Sequence, residues 1–301
     1  MRLVSFGEPG QEQPGVLRDD KTIVALRALL ERHAPGTAPD MITVLARFSL
    51  LRKHIADLIA APDAPTVATE SVRIGPPVPN PGAIVAVGAN YLDHLREITG
   101  PATEQPADPV LFLKPASSLS GPHDPVVRPR ESKGLDYECE LAVVIGRGGR
   151  RIPANRALDH AAGYMIANDV TARDLMAKDI DKGPLFTQIL RGKGCDTFCP
   201  TGPWLLTTDG VPDLAALRLR TWVNDELRQD AFAAQMVATT AQLIASVSDC
   251  MTLNPGDIIL TGTPGGVGSK RQPPSFLEPG DRLRLEITGL GRMQTPVESE
   301  L

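Results

Sequence analysis

The feature that most constrains this chain is a pair of glutamates one residue apart at the head of an apolar run, Leu135-Asp136-Tyr137-Glu138-Cys139-Glu140-Leu141-Ala142-Val143-Val144-Ile145. The run after Glu140 is β-branched and uncharged, which predicts a buried strand. Residues i and i+2 of a strand point the same way, so Glu138 and Glu140 share a face and Cys139 points away. Two carboxylates at the head of a buried strand are costly unless something neutralises them. A divalent cation does this well, and Asp169 in Ala167-Asn168-Asp169 offers a third carboxylate. An all-carboxylate set without His or Cys suits Mg²⁺ or Mn²⁺, with Ca²⁺ as a non-native occupant, rather than Zn²⁺. Two plainer readings stand beside this one. An E-x-E pair also decorates the solvated face of antiparallel sheets, and Asp169 also suits the N-cap of a helix over Thr171–Leu175.

The surrounding text resembles the fumarylacetoacetate hydrolase family, in particular its acylpyruvase-like and 2-hydroxyhepta-2,4-diene-1,7-dioate isomerase-like members. The segments that carry the resemblance occur in order: Gly88-Ala89-Asn90-Tyr91-Leu92-Asp93-His94-Leu95-Arg96-Glu97, Leu111–Pro115, Asp136–Leu141, Asn168–Asp174, Lys193–Pro200, Asn224–Gln229 and Leu260–Gly268. The resemblance as a whole covers roughly residues 75 to 300. The resemblance implies that Glu138, Glu140 and Asp169 bind the cation. One departure is Ala89, which stands where many members of the family carry Arg or Leu.

The fold class expected is α+β: a mixed β-roll or sandwich of the fumarylacetoacetate hydrolase C-terminal type, behind a small N-terminal domain. Thr22–His33 and Asp40–Ala61 have helical patterns, with Asp40 as N-cap. The Pro-rich stretch Ile74–Gly82 reads as a linker. The expected division is therefore a small α/β domain over residues 1–75 and a metal-binding catalytic domain over 76–301. Strands are predicted at Ile84–Val87, Val110–Lys114, Glu138–Ile145, Tyr164–Ala167, Trp204–Leu206, Leu217–Val223, Ile258–Leu260 and Leu283–Ile287. A helix is predicted over Ala234–Cys250, with Met236, Thr240, Leu243, Ile244, Val247 and Met251 on one core-facing stripe.

His94 and Glu97 are neighbours at i and i+3 of a short helix over Tyr91–Ile98. A carboxylate on one imidazole nitrogen leaves the other free as a general base. A lone H-x-x-E is usually a surface pair; the resemblance implies a lid that carries this dyad over the metal, and Thr99–Asp108 has the composition of a lid loop. It likewise implies that Lys193, between Gly192 and Gly194, stabilises oxyanion or enolate charge. Arg173 is expected either to bind a substrate carboxylate or to hold a metal-binding carboxylate. Lys114 is a further candidate of that kind. The glycine-rich loop Gly262–Gly268 lacks the lysine of a phosphate-binding loop, and its backbone N–H groups with the Thr263 hydroxyl suit a substrate carboxylate.

The formal charge of −5 and the lack of a long basic block exclude nucleic acid as the main partner. No apolar run reaches the length of a membrane span and no signal-peptide core is present, so no membrane partner and a cytoplasmic location are expected. The four cysteines lack zinc spacing and read as reduced thiols. The expected activity is metal-dependent hydrolysis of a carbon–carbon bond in an acylpyruvate or 2,4-diketo acid, by a homodimer, with pyruvate and a carboxylic acid as products. The alternative is an oxaloacetate decarboxylase or 2-oxo-diene isomerase acting through the same enolate.

Overall fold

The structure is a computed structural model, and it describes residues 1–300. A large mixed sheet runs through it in the order Thr66–Ala68, Thr22–Ala25, Gln13–Leu17, Arg2–Phe6, Cys199–Thr207, Ala161–Asn168, Cys139–Ile145, Ile258–Leu260, Ile84–Gly88, Val110–Lys114. A second sheet orders Glu226–Phe232, Arg218–Val223, Arg282–Ile287, Gly291–Ser299 and Val126–Arg128. The class is α+β, with two sheets packed across a shared core and helices at the periphery.

The central strand Cys139–Ile145 is buried on both faces, and its period of two sorts its side chains between two cores. Cys139, Leu141, Val143 and Ile145 face the core shared with the second sheet and with the helix Thr240–Cys250. Ala142 and Val144 face the other core, with Leu3, Val16, Met41 and Ile55 from the first 75 residues. On that helix Thr240, Leu243, Ile244 and Val247 are buried, as the stripe predicts.

The expected strands are present, several of them longer than their apolar cores suggest, as at Ala161–Asn168 and Cys199–Thr207. Helix bounds differ more. Thr22–Ala25 is a strand, and the helix begins only at Arg27. Its Thr-Ile-Val run prefers the pleated sheet, where branched side chains pack well. Asp40 does cap its helix, accepting the Thr43 N–H at 2.8 Å, but Arg47 breaks the segment into Met41–Ala46 and Phe48–Ala60. The helix expected from Ala234 begins at Thr240, behind a Thr239–Gln242 capping box. The residues before it stay extended because Val237 and Ala238 donate to Asn90, each at 2.8 Å.

The sheet does not stop at residue 75. Arg2 and Leu3 pair with Leu206 and Leu205, and Ile74–Gly75, within the expected linker, pairs with the first strand. No helix among the described residues is long and apolar enough to cross a membrane.

Candidate active site

The antiparallel pairing of Cys139–Ile145 with Ala161–Asn168 builds the acidic centre. Cys139 sits opposite Asn168, so the next residue, Asp169, lands beside Glu138 and donates its N–H to the Glu138 carbonyl at 2.9 Å. Asn168 Oδ1 accepts the Glu138 N–H at 3.0 Å and fixes the turn. Glu138, Glu140 and Asp169 are 4%, 1% and 1% exposed. They offer oxygens that all lie within 4.8 Å of one another. Metal–oxygen bonds of ~2.0–2.6 Å place the ligand oxygens of one ion within about 5 Å of each other, so the spacing fits a single hard cation. Neither plainer reading survives: the pair is not solvated, and Asp169 caps no helix, since the following helix runs only over Arg173–Met176.

The charges around this centre are unevenly matched. Lys193 Nζ donates to Glu138 Oε2 at 2.7 Å and to Asp169 Oδ2 at 2.6 Å. Arg173 donates to Glu138 Oε1 at 2.5 Å and to Asp136 Oδ2 at 2.9 Å. Burial alone raises the Glu138 pKa, but Lys193 and Arg173 outweigh it and hold the group down at about 2. Among the described residues Glu140 is bonded to no cation, and Lys193 only partly offsets its charge through space. Glu140 accepts only the Gly262 N–H, at 2.6 Å. Burial and the neighbouring Asp169 and Glu138 push its pKa well above the ordinary carboxylate value. A site with one under-compensated buried carboxylate, built only of oxygen donors, fits a divalent cation.

A cavity of 190 Å³ opens onto this centre. Glu138, Glu140, Asp169, Lys193, Arg173, His94 and Thr263 all line it. Burial opposes the charge on Lys193, but Asp169 and Glu138 raise its pKa, so the ammonium stays protonated. Ile98, Val110, Phe112 and Met176 supply apolar walls, and the Phe112 ring lies 5.4 Å from Lys193 Nζ.

His94 sits on the helix Leu92–Thr99, 4% exposed, with Nδ1 3.4 Å from Glu97 Oε2. The other Glu97 oxygen accepts the Gly266 N–H at 2.7 Å, and Asp93 accepts those of Gly265 at 3.2 Å and His94 at 2.8 Å. The glycine-rich loop therefore does bind carboxylates, but they are the protein's own and belong to the helix Leu92–Thr99. Thr263 is similarly engaged: its hydroxyl donates to the Cys139 carbonyl at 2.9 Å and accepts from Gln229 at 2.8 Å. Gly262, Gly266 and Gly268 have their N–H groups on Glu140, Glu97 and Asp136. The loop shapes the cavity and ties down the helix Leu92–Thr99; its hydroxyl proton and these N–H groups are not free for a substrate carboxylate.

For Lys114 and Arg173 the structure fits the carboxylate-holding role and not the substrate-binding one. Lys114 does not line the cavity: its side chain is fully buried behind Asp169, with Nζ 2.6 Å from Asp169 Oδ1 and bonded to the Lys193 carbonyl. Arg173 lines the cavity with a side chain 15% exposed, but its guanidinium is taken up by Asp136 and Glu138, which is the carboxylate-holding one of its two expected roles.

Some contributors carry no sequence signal beyond their place in the motifs. Asp136, fully buried, orients Arg173 and accepts the N–H groups of Gly268 and Ser269. Gln229 joins the second sheet to the site through Cys139, Thr263 and Pro264. Asn90 fixes the start of the helix Leu92–Thr99 on the Thr261 and Ala238 carbonyls. The thiols of Cys139 and Cys199 are buried, which pushes each to about 12 and leaves them unreactive.

The model of the fumarylacetoacetate hydrolase C-terminal family matches residues 83–298. The mitochondrial oxaloacetate tautomerase of Xenopus laevis is 46% identical over 300 residues, which are 99% of this chain and 90% of that protein. Among solved structures, maleylpyruvate hydrolase from Sphingobium sp. SYK-6, in complex with manganese(II) and pyruvate, is 36% identical with a TM-score of 0.80 over the full length of both chains. The 2-hydroxyhepta-2,4-diene-1,7-dioate isomerase of Mycobacterium marinum is 31% identical with a TM-score of 0.73, covering 100% of this chain and 99% of that one. This chain belongs to the fumarylacetoacetate hydrolase family.

Proposed function

We propose that this chain is a divalent-metal-dependent enzyme that hydrolyses a carbon–carbon bond in an acylpyruvate or 2,4-diketo acid, giving pyruvate and a carboxylic acid. The observation that carries the reading is that His94, backed by Glu97, and the three carboxylates line one small cavity. The manganese and pyruvate named for the Sphingobium hydrolase support the same class of ligand.

Glu138, Glu140 and Asp169 would hold Mg²⁺ or Mn²⁺. Such a cation supplies a Lewis acid for the 2-oxo and carboxylate oxygens of the substrate. Glu97 faces Nδ1 of His94, leaving Nε2 to accept a proton from water. The water oxygen bonds to the distal acyl carbon, the carbon–carbon bond breaks, and its electron pair passes to the pyruvate fragment as enolate, which is then protonated. The Lys193 ammonium, which lines the same cavity, would stabilise that negative charge. Arg173 and Lys114 keep Glu138 and Asp169 ionised and in place.

A second reading, tautomerisation of oxaloacetate, is favoured by the 46% identity to a protein of that name across almost the whole chain. It shares the enolate but needs no attacking water; His94 would carry the proton between carbon and oxygen. Decarboxylation of oxaloacetate and isomerisation of a 2-oxo-diene draw on the same intermediate. The deciding experiment incubates purified protein and Mg²⁺ or Mn²⁺ with acylpyruvates, 2,4-diketo sugar acids and oxaloacetate, and identifies the products. Release of pyruvate with one equivalent of carboxylic acid supports hydrolysis; turnover of oxaloacetate alone replaces it with the second reading. A cytoplasmic homodimer is part of this proposal, tested by fractionation and sedimentation.

A further inference from the structure

The register of the large sheet carries the face of Glu138 and Glu140 across to the apolar side of the cavity. Ala142, two residues beyond Glu140, sits opposite Leu260, Leu260 opposite Ala86, and Ala86 opposite Phe112. Residues opposite one another share a face, as do residues two apart on one strand. Phe112 and Val110 therefore stand on the same face as the two glutamates. On the strand beside them that face carries Ala86 and Gly88, opposite Phe112 and Val110. A methyl group and a hydrogen leave room there, and Gly88, Val110 and Phe112 line the 190 Å³ cavity together with Glu138, Glu140 and Asp169.

Two helical segments complete the apolar side. Ile98 comes from the helix Leu92–Thr99 and Met176 from the helix Arg173–Met176. Met176 is backed by the segment Ile189–Lys193, which approaches so closely that a Cβ at Gly192 would stand 2.4 Å from the Met176 Cβ. Ile98 and Val110 are 44% and 47% exposed, so apolar surface stays open to water in the same cavity as the buried carboxylates. Covering it with hydrocarbon is favourable. The cations of the lining are engaged elsewhere: Lys193 holds Glu138 and Asp169, and Arg173 holds Asp136 and Glu138.

We propose that Ile98, Val110, Phe112 and Met176 form the subsite for the substituent of the 2-oxo acid, and that they select a short alkyl chain. The inference rests on the 2-oxo-acid reading above and narrows it. The Phe112 ring, 5.4 Å from Lys193 Nζ, joins this subsite to the charged end of the cavity. Burying one methylene against such a wall is worth about fourfold in affinity. A volume of 190 Å³ matches about six waters of liquid, so the gain is confined to the first few carbons.

The test is calorimetric titration of Mn²⁺-loaded full-length protein with pyruvate, 2-oxobutanoate and 2-oxopentanoate, which share one head group and lengthen by a methylene at a time. Affinity of the wild type is expected to rise roughly two- to fourfold per step. The double variant Val110→Thr/Met176→Gln, close in shape but polar, is expected to flatten the series. Val110→Thr alone, at a half-exposed position, carries the same comparison if the double variant does not fold. A flat or falling series in the wild type overturns the inference while the 2-oxo-acid reading stands, and an unchanged slope in a folded variant overturns it equally. Binding of none of the three acids removes the 2-oxo-acid reading itself, and this inference with it.

Discussion

Lys193 Nζ lies 2.6 Å from Asp169 Oδ2 while also holding Glu138 at 2.7 Å, so a single ammonium bridges two of the three carboxylates of the acidic centre. It acts as a fixed positive charge beside the cation site, facing the cavity in which enolate charge would develop. Lys193→Met is therefore expected to lower kcat by ~10²–10³ for every substrate turned over. It is also expected to destabilise the metal-free protein, because removing one partner of a buried pair typically costs ~3–5 kcal/mol. Metal binding should offset much of that loss. Thermal unfolding with EDTA and with Mn²⁺, alongside steady-state kinetics, checks both parts; unchanged turnover would reduce Lys193 to a structural residue.

Glu140 makes its own contribution to the pH dependence of the metal-free protein. Its folded pKa is raised, by burial first and then by Asp169 and Glu138. A raised group contributes stability below its unfolded value of 4.5 and loses it as pH rises through the folded pKa. Glu138 runs the other way: held at about 2, it contributes stability above 4.5 and loses it as pH falls toward about 2. The metal-free protein should thus lose stability at Glu140 as the solution moves from mildly acid to neutral. The gain in Tm on adding Mn²⁺ should be larger at neutral than at mildly acid pH. Glu140→Ala should abolish the metal-binding isotherm; an unaltered Mn²⁺ affinity in that variant would remove it from the ligand set.

The bond between the glycine-rich loop and the helix Leu92–Thr99 yields a third expectation. Gly266 has φ 99°, and a Cβ there would stand 2.2 Å from the Arg228 carbonyl oxygen. Gly266→Ala must shift the loop, at a strain cost of roughly 1–3 kcal/mol. That shift withdraws the N–H that holds Glu97, so kcat should fall while Mn²⁺ affinity stays near wild type. Equal losses in both would show that the loop supports the acidic centre rather than the helix Leu92–Thr99.

The parts of the site legible in the sequence were those with short-range geometry. Glu138 and Glu140 share a face because a strand alternates, and the Ala142–Val144 continuation on that face bears this out. The Asp40 cap and the stripe on the Thr240–Cys250 helix are local in the same sense. What stayed hidden are partnerships made across the chain. Glu97 and Gly266 are 169 residues apart, and nothing local marks a loop N–H as already taken. For Lys114 and Arg173 the sequence leaves open whether the partner is a substrate or a protein carboxylate, and only the fold brings Asp169, Asp136 and Glu138 to them. The strand Arg2–Phe6 finds its neighbour near Leu206, so its place in the sheet was equally out of reach.

That last pairing bears on the expected division at residue 75, which stays a proposal. Leu3, Val16, Met41 and Ile55 pack in one core with Ala142, Val144, Met165 and Leu205 of the catalytic region. Residues 76–301 expressed alone would expose that apolar face, and the edge of Cys199–Thr207 would lose its partner. The fragment is expected to aggregate or to lack a cooperative thermal transition. A soluble, metal-binding fragment with a sharp transition would establish two independently folding units.

The final prediction separates hydrolysis from the other reactions open to this cavity. His94 and Glu97 sit on the helix Leu92–Thr99, a segment apart from the strand ends that carry Glu138, Glu140 and Asp169. Substitution of the imidazole therefore leaves the cation site, Lys193 and Arg173 in place. In a hydrolase His94 activates the attacking water, and His94→Ala should lower acylpyruvate cleavage by ~10²–10⁴. Decarboxylation of oxaloacetate needs no attacking water and should survive the change far better. Tautomerisation moves a proton between carbon and oxygen, so it should fall with His94 but leave no pyruvate and carboxylic acid in the wild-type reaction. Parallel assays of the two proteins with an acylpyruvate and with oxaloacetate resolve the cases. Unchanged acylpyruvate cleavage in His94→Ala would assign the proton transfer to another group and leave His94 as a wall of the cavity.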